Sequence, residues 1–291
     1  MRIHYQIQEQ MFSVYEMKRK ADVLIVGGVE IVIKSDLTLP HIELAVDGIG
    51  TRIATHLRKI GISPVLFDYI GNDEFNELIN SYFEKKEILF FWSRQPYGTR
   101  RILKLYGDGF NKVYKDYRNI ENIDYTFILN NLSEIINEVK SVYIILSNWN
   151  TKLIRNLKLL GKFIFLDFEE TINFPENSEI FGDFIFINEE LELKNVKYLY
   201  KITFMKNGNI VFEFDDIKEE IIPFSEKKEY IFEAKSAFKS IIINSLLDGK
   251  NLKDSLLLGN IAYSYAVENK GKQISRNLLY EEFYKRKDGN G

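Results

Sequence analysis

Residues 47–73 read DGIGTRIATHLRKIGISPVLFDYIGND. Ile53, Leu57 and Ile60 recur at helical spacing, and Gly61 stands where such a helix stops. SPVLFDYIG then reads as a strand, and DEFNELINSYFEKK as the next helix. Upstream, ADVLIVGGVEIVI (21–33) is a β-branched run that meets a Gly-Gly turn, the pattern of a buried strand. Strand, helix, strand, helix in that order predicts an α/β domain with a largely parallel sheet.

The rhythm breaks between about Ile88 and Asn119. RQPYGTRRILKLYGDGFNKVYKDY alternates polar and apolar residues around glycine-containing turns, which is antiparallel ribbon chemistry. Beyond it SVYIILS, GKFIFLDF, GDFIFIN and YLYKITFMKNG each read as strands. KSAFKSIIINSLLDG and NLKDSLLLGNIAYSYAVENKG then read as two amphipathic helices back to back, with Ser236 at the start of the first. The expected organisation is an N-terminal arm over 1–20, one α/β domain over 21–285 with a β lid from about 33–46 and 88–119, and a tail over 286–291. Met11 and Met17 are alternative starts within the arm.

Composition narrows the chemistry. The chain has 291 residues, 45% hydrophobic and 28% charged, ample for a sizeable core. A net charge of −3 predicts no nucleic-acid partner. With no cysteine, disulfides, thiolate metal sites and cysteine nucleophiles are excluded. His4, His41 and His56 lack metal-ligand spacing, so no metal site is expected. No apolar run reaches membrane-span length and no signal-peptide pattern opens the chain, which predicts a cytoplasmic protein with no membrane contact. Abundant Ile, Lys and Glu without cysteine fit a heat-adapted source.

The order of segments resembles the ribokinase, or PfkB-type, sugar and nucleoside kinases. DVLIVGG resembles their first strand, and DGIGTRIATHLRKIG their glycine-rich substrate segment and helix. VLFDYIGNDEFNELI, FLDFEET, GDFIFINEEL and KITFMKNGNIVF resemble the strand–turn–helix, Asp-Pro-Asn, Asn-x-x-Glu and Thr-x-Gly-x-x-Gly segments that follow. EAKSAFKSIIINSLLDG is similar to the GAGD-AF helix. The resemblance spans about residues 21–272 and implies a three-layer α/β/α ribokinase-like fold, with a mainly parallel central sheet and a small β lid that often serves as a dimer clasp. A homodimer through the lid is therefore expected, and Tyr97, Tyr106, Phe110, Tyr114 and Tyr117 are its interface candidates.

The resemblance also implies a reaction and shows where this chain departs from it. Phosphoryl transfer needs a base at the acceptor hydroxyl and preorganised donors around the moving phosphate. The GAGD positions are Glu233, Ala234, Lys235 and Ser236 here, so the anion hole has lost its glycines and serine stands at the base position. On the substrate side, Val32 replaces the sugar-binding aspartate, Asp47 the first glycine before Gly48, and Arg52 the asparagine. On the nucleotide side, Asn188, Thr203 and Gly208 remain, while Leu191 replaces the final glutamate and Met205 the first glycine. These departures imply a catalytically impaired member that binds a small ligand, regulates or assembles. The alternative is a divergent sugar or nucleoside kinase in which Asp167 or Glu233 replaces the base. Regulatory partnership with an active paralogue is a third reading. No cofactor is fixed; ATP and magnesium enter only if the chain is active. Lys235 could supply a point charge to a phosphate or carboxylate, or pair with Glu233. Arg94, Arg100 and Arg101 could clamp an anion or form a solvated ribbon face. Asp167, Glu169 and Glu170 could hold a metal or form a polar loop.

Overall fold

The computed structural model describes residues 20–36, 41–95, 98–107, 110–116, 126–146, 151–168, 179–191, 193, 195–227 and 229–287. Residues 1–19, Tyr97, Tyr117, Glu169, Glu170 and residues 288–291 lie outside this set, as do the side chains of Tyr106 and Phe110.

Strands β1 (Val23–Val26), β4 (Pro64–Gly71), β5 (Leu89–Gln95), β8 (Ser141–Ile145), β9 (Phe163–Asp167), β10 (Ile180–Asn188) and β11 (Val196–Phe204) run parallel. An antiparallel pair, β12 (Ile210–Phe214) and β13 (Ile217–Ile221), completes a nine-stranded sheet in the order β13-β12-β11-β10-β9-β8-β1-β4-β5. β1 and β8 are buried along their whole length, as a sheet covered on both faces requires.

The alternating strand residues feed two cores. Val23 and Ile25 face one, with Ile53 and Leu57 of helix α1 (Ile49–Lys59), Ile79 and Phe83 of α2 (Phe75–Lys85), and the helices α6 (Ile231–Leu247), α7 (Leu252–Glu268) and α8 (Arg276–Lys287). Leu24 and Val26 face the other, with Ile128 of α3 (Thr126–Asn131), Ile136 of α4 (Ser133–Glu138) and Leu153 and Leu157 of α5 (Thr151–Leu159). The result is the expected three-layer arrangement around a mainly parallel sheet.

A second, four-stranded sheet has the order β3-β2-β6-β7, from β2 (Glu30–Asp36), β3 (His41–Asp47), β6 (Arg101–Gly107) and β7 (Phe110–Asp116). The stretch 88–119 is thus divided: Leu89–Gln95 pairs in parallel with β4 in the large sheet, and the ribbon begins at Arg101. Phe90 and Phe91 pack on opposite faces of that large sheet, which draws the segment out of the ribbon.

Helices α6 and α7 are not amphipathic. α6 is buried continuously from Ser236 to Ser245, because its apolar run includes Ile241, Ile242 and Ile243 and α7 packs along it. A helix apolar all round belongs in a core. α6 also begins earlier than the sequence suggests. Tyr230, in the left-handed region at φ 57°, turns the chain into the helix, and Ala234 N–H already donates to Tyr230 C=O at 3.0 Å. Ser236 is consequently inside the second turn and does not cap the helix.

Candidate functional site

The carboxyl ends of the parallel strands converge on the N-terminal part of α6. Open α/β sheets bind ligands at this edge.

The central feature is a buried ion pair. Lys239 Nζ lies 2.6 Å from Asp167 Oδ2 at the end of β9, and the Tyr143 hydroxyl of β8 also donates to Asp167. Lys239 and Asp167 are 5% and 1% exposed, so neither charge is answered by bulk water. One turn earlier on α6, Lys235 donates to Asn188 Oδ1 at 2.7 Å, at the end of β10. Both ammoniums face the Phe204 ring, at 5.1 and 5.4 Å. Burial pushes Lys235 down to about 8, helped by Lys239 and opposed by Asp167 and Glu190. The pairing of Lys235 with Glu233 is not what the structure shows: Glu233 lies beside Gly271, while Lys235 reaches across to β10.

Ser236 is 1% exposed and its hydroxyl donates to Phe232 C=O at 3.0 Å. Ser240 repeats this, donating to Ser236 C=O at 2.7 Å. Ala234, Lys235 and Ser236 all sit within the helix, whose ladder takes up their amides.

The nucleotide-side positions form a compact turn. Met205 N–H donates to Asn209 C=O at 2.9 Å and Gly208 N–H to Met205 C=O at 3.1 Å, with Gly208 at φ 99°. Thr203 is buried on β11 just before it. The turn is tied to the end of β10, where Glu189 accepts Lys206 N–H at 2.7 Å. Asn188, Thr203, Met205, Gly208 and Lys235 are therefore neighbours around one strand edge.

The substrate-side positions do not all join them. Val32 is 1% exposed and lies within the small sheet, opposite Ala45 and Ile102. Asp47 and Arg52 form an ion pair at 3.3 Å across the start of α1. Gly48 is required by packing: a Cβ there would fall 2.2 Å from Gly28 C=O, and one on Gly50 would fall 2.0 Å from Gly27 C=O. The Gly-Gly turn after β1 and the start of α1 thus touch backbone to backbone.

Arg100 points inward to Asp68 of β4, a fully buried carboxylate that also accepts Val29 N–H and Tyr69 N–H, both at 2.7 Å. Burial raises the Asp68 pKa, against the opposing pull of Arg100 and the two amides. Arg101 pairs with Asp116 at 3.4 Å across the ribbon. Both arginines have acids of their own chain. Sequence reasoning missed Asp68 and Lys239 as site members. Each is a lone charge inside an apolar run, VLFDYIG and AFKSIII, and a lone charge there needs a buried partner.

Among the described residues, no group of three His, Asp or Glu is placed to hold a metal. No helix of the described residues is long and apolar enough to cross a membrane.

No family model matches the chain, and no curated relative matches it. Solved structures do match. A microbiome-derived acarbose kinase superposes with a TM-score of 0.76 at 18% identity, covering 91% of this chain and 100% of the other. The chain has the ribokinase-like fold. The ribokinase of Thermotoga maritima matches at TM-score 0.68 and 18% identity, covering 91% and 99% of the two chains. The nucleoside kinase of Methanocaldococcus jannaschii, described as an archaeal member of the ribokinase family, matches at 0.68 and 16%, again over 91% and 99%. In this ribokinase-like chain, α6 is the helix that carries EAKSAF, residues 233–238.

Proposed function

We propose that this is a ribokinase-fold protein of the carbohydrate-kinase type whose phosphotransfer is severely impaired, and which acts by binding a ligand, by regulating or by assembling. The observation that carries the reading is the start of α6. The positions that should present free amides to a phosphate, Ala234 to Ser236, are inside the helix, and the hydroxyl at the base position is buried and bonded to Phe232 C=O. Losing a general base forfeits on the order of 10²–10⁴ in rate, and losing oxyanion-type donors a further factor of about 10²–10³. Asp167 is poorly suited to replace the base, because its carboxylate is 1% exposed and both Lys239 and Tyr143 donate to its Oδ2. Exposed apolar residues on one face of the small sheet, Ile42 and Leu44 of β3 and Tyr114 of β7, support a homodimer through that face.

The second reading is a divergent ATP-dependent kinase for a sugar or nucleoside hydroxyl. It is favoured by near-complete coverage of structures that are themselves named as kinases. Glu233, half-buried at the first turn of α6, would then supply the base. The deciding experiment is ATP consumption by purified protein with magnesium over a panel of sugars and nucleosides. Substrate-independent background is expected; sustained, substrate-dependent turnover would establish the kinase.

A further inference from the structure

An apolar groove of about 350 Å³ opens on the outer side of the second core, between α3, α4 and the C-terminal end of α5. Leu129, Ile136, Leu159 and Leu160 line it, together with Asn137 and Asn156. Ile136 is buried, but Leu159 is 80% exposed, more than any other large apolar residue described, and Leu160 follows at 54%. Two adjacent exposed leucines beside an apolar groove mark a face that is normally covered, and among the described residues nothing covers it. The walls are fixed. The Lys162 ammonium, just after α5, donates to Asn137 C=O and Val139 C=O at the end of α4, at 3.1 and 2.8 Å.

The chain enters the described structure at the same end of the molecule. Ala21 is buried in the second core, which also holds Ile136, and Val23 opens β1 opposite Ser141, the first residue of β8. α4 leads into β8, and β9, which follows α5, starts opposite Ser141 at Phe163. With neighbouring strands about 4.8 Å apart, the ends of α4 and α5 lie within about 15 Å of that entry point. Residues 11–19 span up to about 30 Å when extended, so MFSVY (11–15) reaches the groove. It is also the most apolar stretch before Lys20, with Met11, Phe12, Val14 and Tyr15. We propose that MFSVY docks in this groove and covers Leu159 and Leu160 of its own chain. A groove this size takes a few side chains, whereas a stable interface with a second copy needs roughly 800 Å² on each partner. Attachment at Lys20 raises the effective concentration of the segment to the order of millimolar, so a few buried side chains suffice to hold it. The docked segment lies at the amino ends of the strands, away from the edge where β9, β10 and β11 meet α6, and leaves that edge open.

The test is photo-cross-linking of the full 291-residue chain with benzoylphenylalanine in place of Phe12, at high dilution, with the linked peptides mapped by mass spectrometry. The expected product is monomer-sized and joins residue 12 to residues 129–137 or 156–160. Leu160→Asp, at an exposed position, should cut the yield at least about fivefold by placing a charge against the segment. Ile42→Asp, on the small sheet, should leave it unchanged. The absence of cysteine permits a second readout, because Leu160→Cys gives the chain a single thiol. That thiol should react with a maleimide at least about fivefold faster when Phe12→Asp and Val14→Asp are added, since the charges release the segment. The proposal is overturned if the links fall elsewhere, if they form only between molecules, which would make a second copy the occupant, or if Leu160→Asp leaves the yield unchanged. It is equally overturned if the Leu160→Cys thiol reacts at the same rate with and without the two aspartates.

Discussion

Replacing Lys239 with methionine should be among the most damaging single changes in this chain. Lys239 is 5% exposed and Asp167 1% exposed, joined at 2.6 Å, with the Tyr143 hydroxyl as the other partner of the carboxylate. Methionine keeps most of the volume against Phe186 and Phe204, so the effect isolates the charge. Removing one member of a buried pair costs about 3–5 kcal/mol, because the survivor stays desolvated and uncompensated. With a urea m-value of about 3 kcal/mol/M for a chain of this size, the unfolding midpoint should fall by roughly 1–1.7 M. Asp167→Leu should cost a similar amount by stranding Lys239. The Lys239→Met/Asp167→Leu double variant should lose only about 1–2 kcal/mol, chiefly the Tyr143 hydrogen bond. Urea unfolding of the four proteins gives the coupling, which should be at least about 2 kcal/mol. If Lys239→Met costs less than about 1 kcal/mol, or if the single effects simply add, the pair does not seat α6 on the sheet.

Three further outcomes follow from the geometry. His56 is buried on α1, and desolvation, then Lys59 and Arg52, lower its pKa from 6.5 to about 3. The unfolded chain therefore takes up a proton below pH 6.5 that the folded chain refuses, and stability falls with pH down to about 3. His56→Leu should remove about 2 kcal/mol of the loss between pH 6.5 and 4.5, measured by urea unfolding against pH. Arg100→Met leaves Asp68 with two amides and no counter-charge, a loss of about 2–3 kcal/mol at pH 7.5. Burial already raises Asp68, so the loss should shrink as pH falls and the carboxyl protonates; an equal loss at pH 5 would contradict the assignment. Gly50→Ala should cost about 3 kcal/mol, since the new Cβ meets backbone at 2.0 Å, and a thermal melt unchanged from the parent would refute that contact.

Much of the architecture was legible because it rests on short-range signals. Continuous β-branched runs such as VLIV and SVYII mark strands buried on both faces, and Ile53, Leu57 and Ile60 mark the α1 stripe. The start of α6 was not legible. Serine is a good capping residue, but α6 begins without any side-chain cap, from a left-handed Tyr230 whose conformation no local signal announces. The β12–β13 hairpin turns at Asp215 and Asp216, with Asp215 at φ 49°, and the strands read from the sequence stopped short of it. The ion pairs Lys239–Asp167 and Arg100–Asp68 join residues that only the folded topology brings together.

The most direct test is a crystal structure of the protein grown with magnesium and ADP or a non-hydrolysable ATP analogue. α6 is expected to begin at Ile231 as it does here, with no phosphate oxygen within hydrogen-bond distance of the Ala234–Ser236 amides. A terminal phosphate seated on those amides, with the first turn of α6 unwound to receive it, would contradict the account.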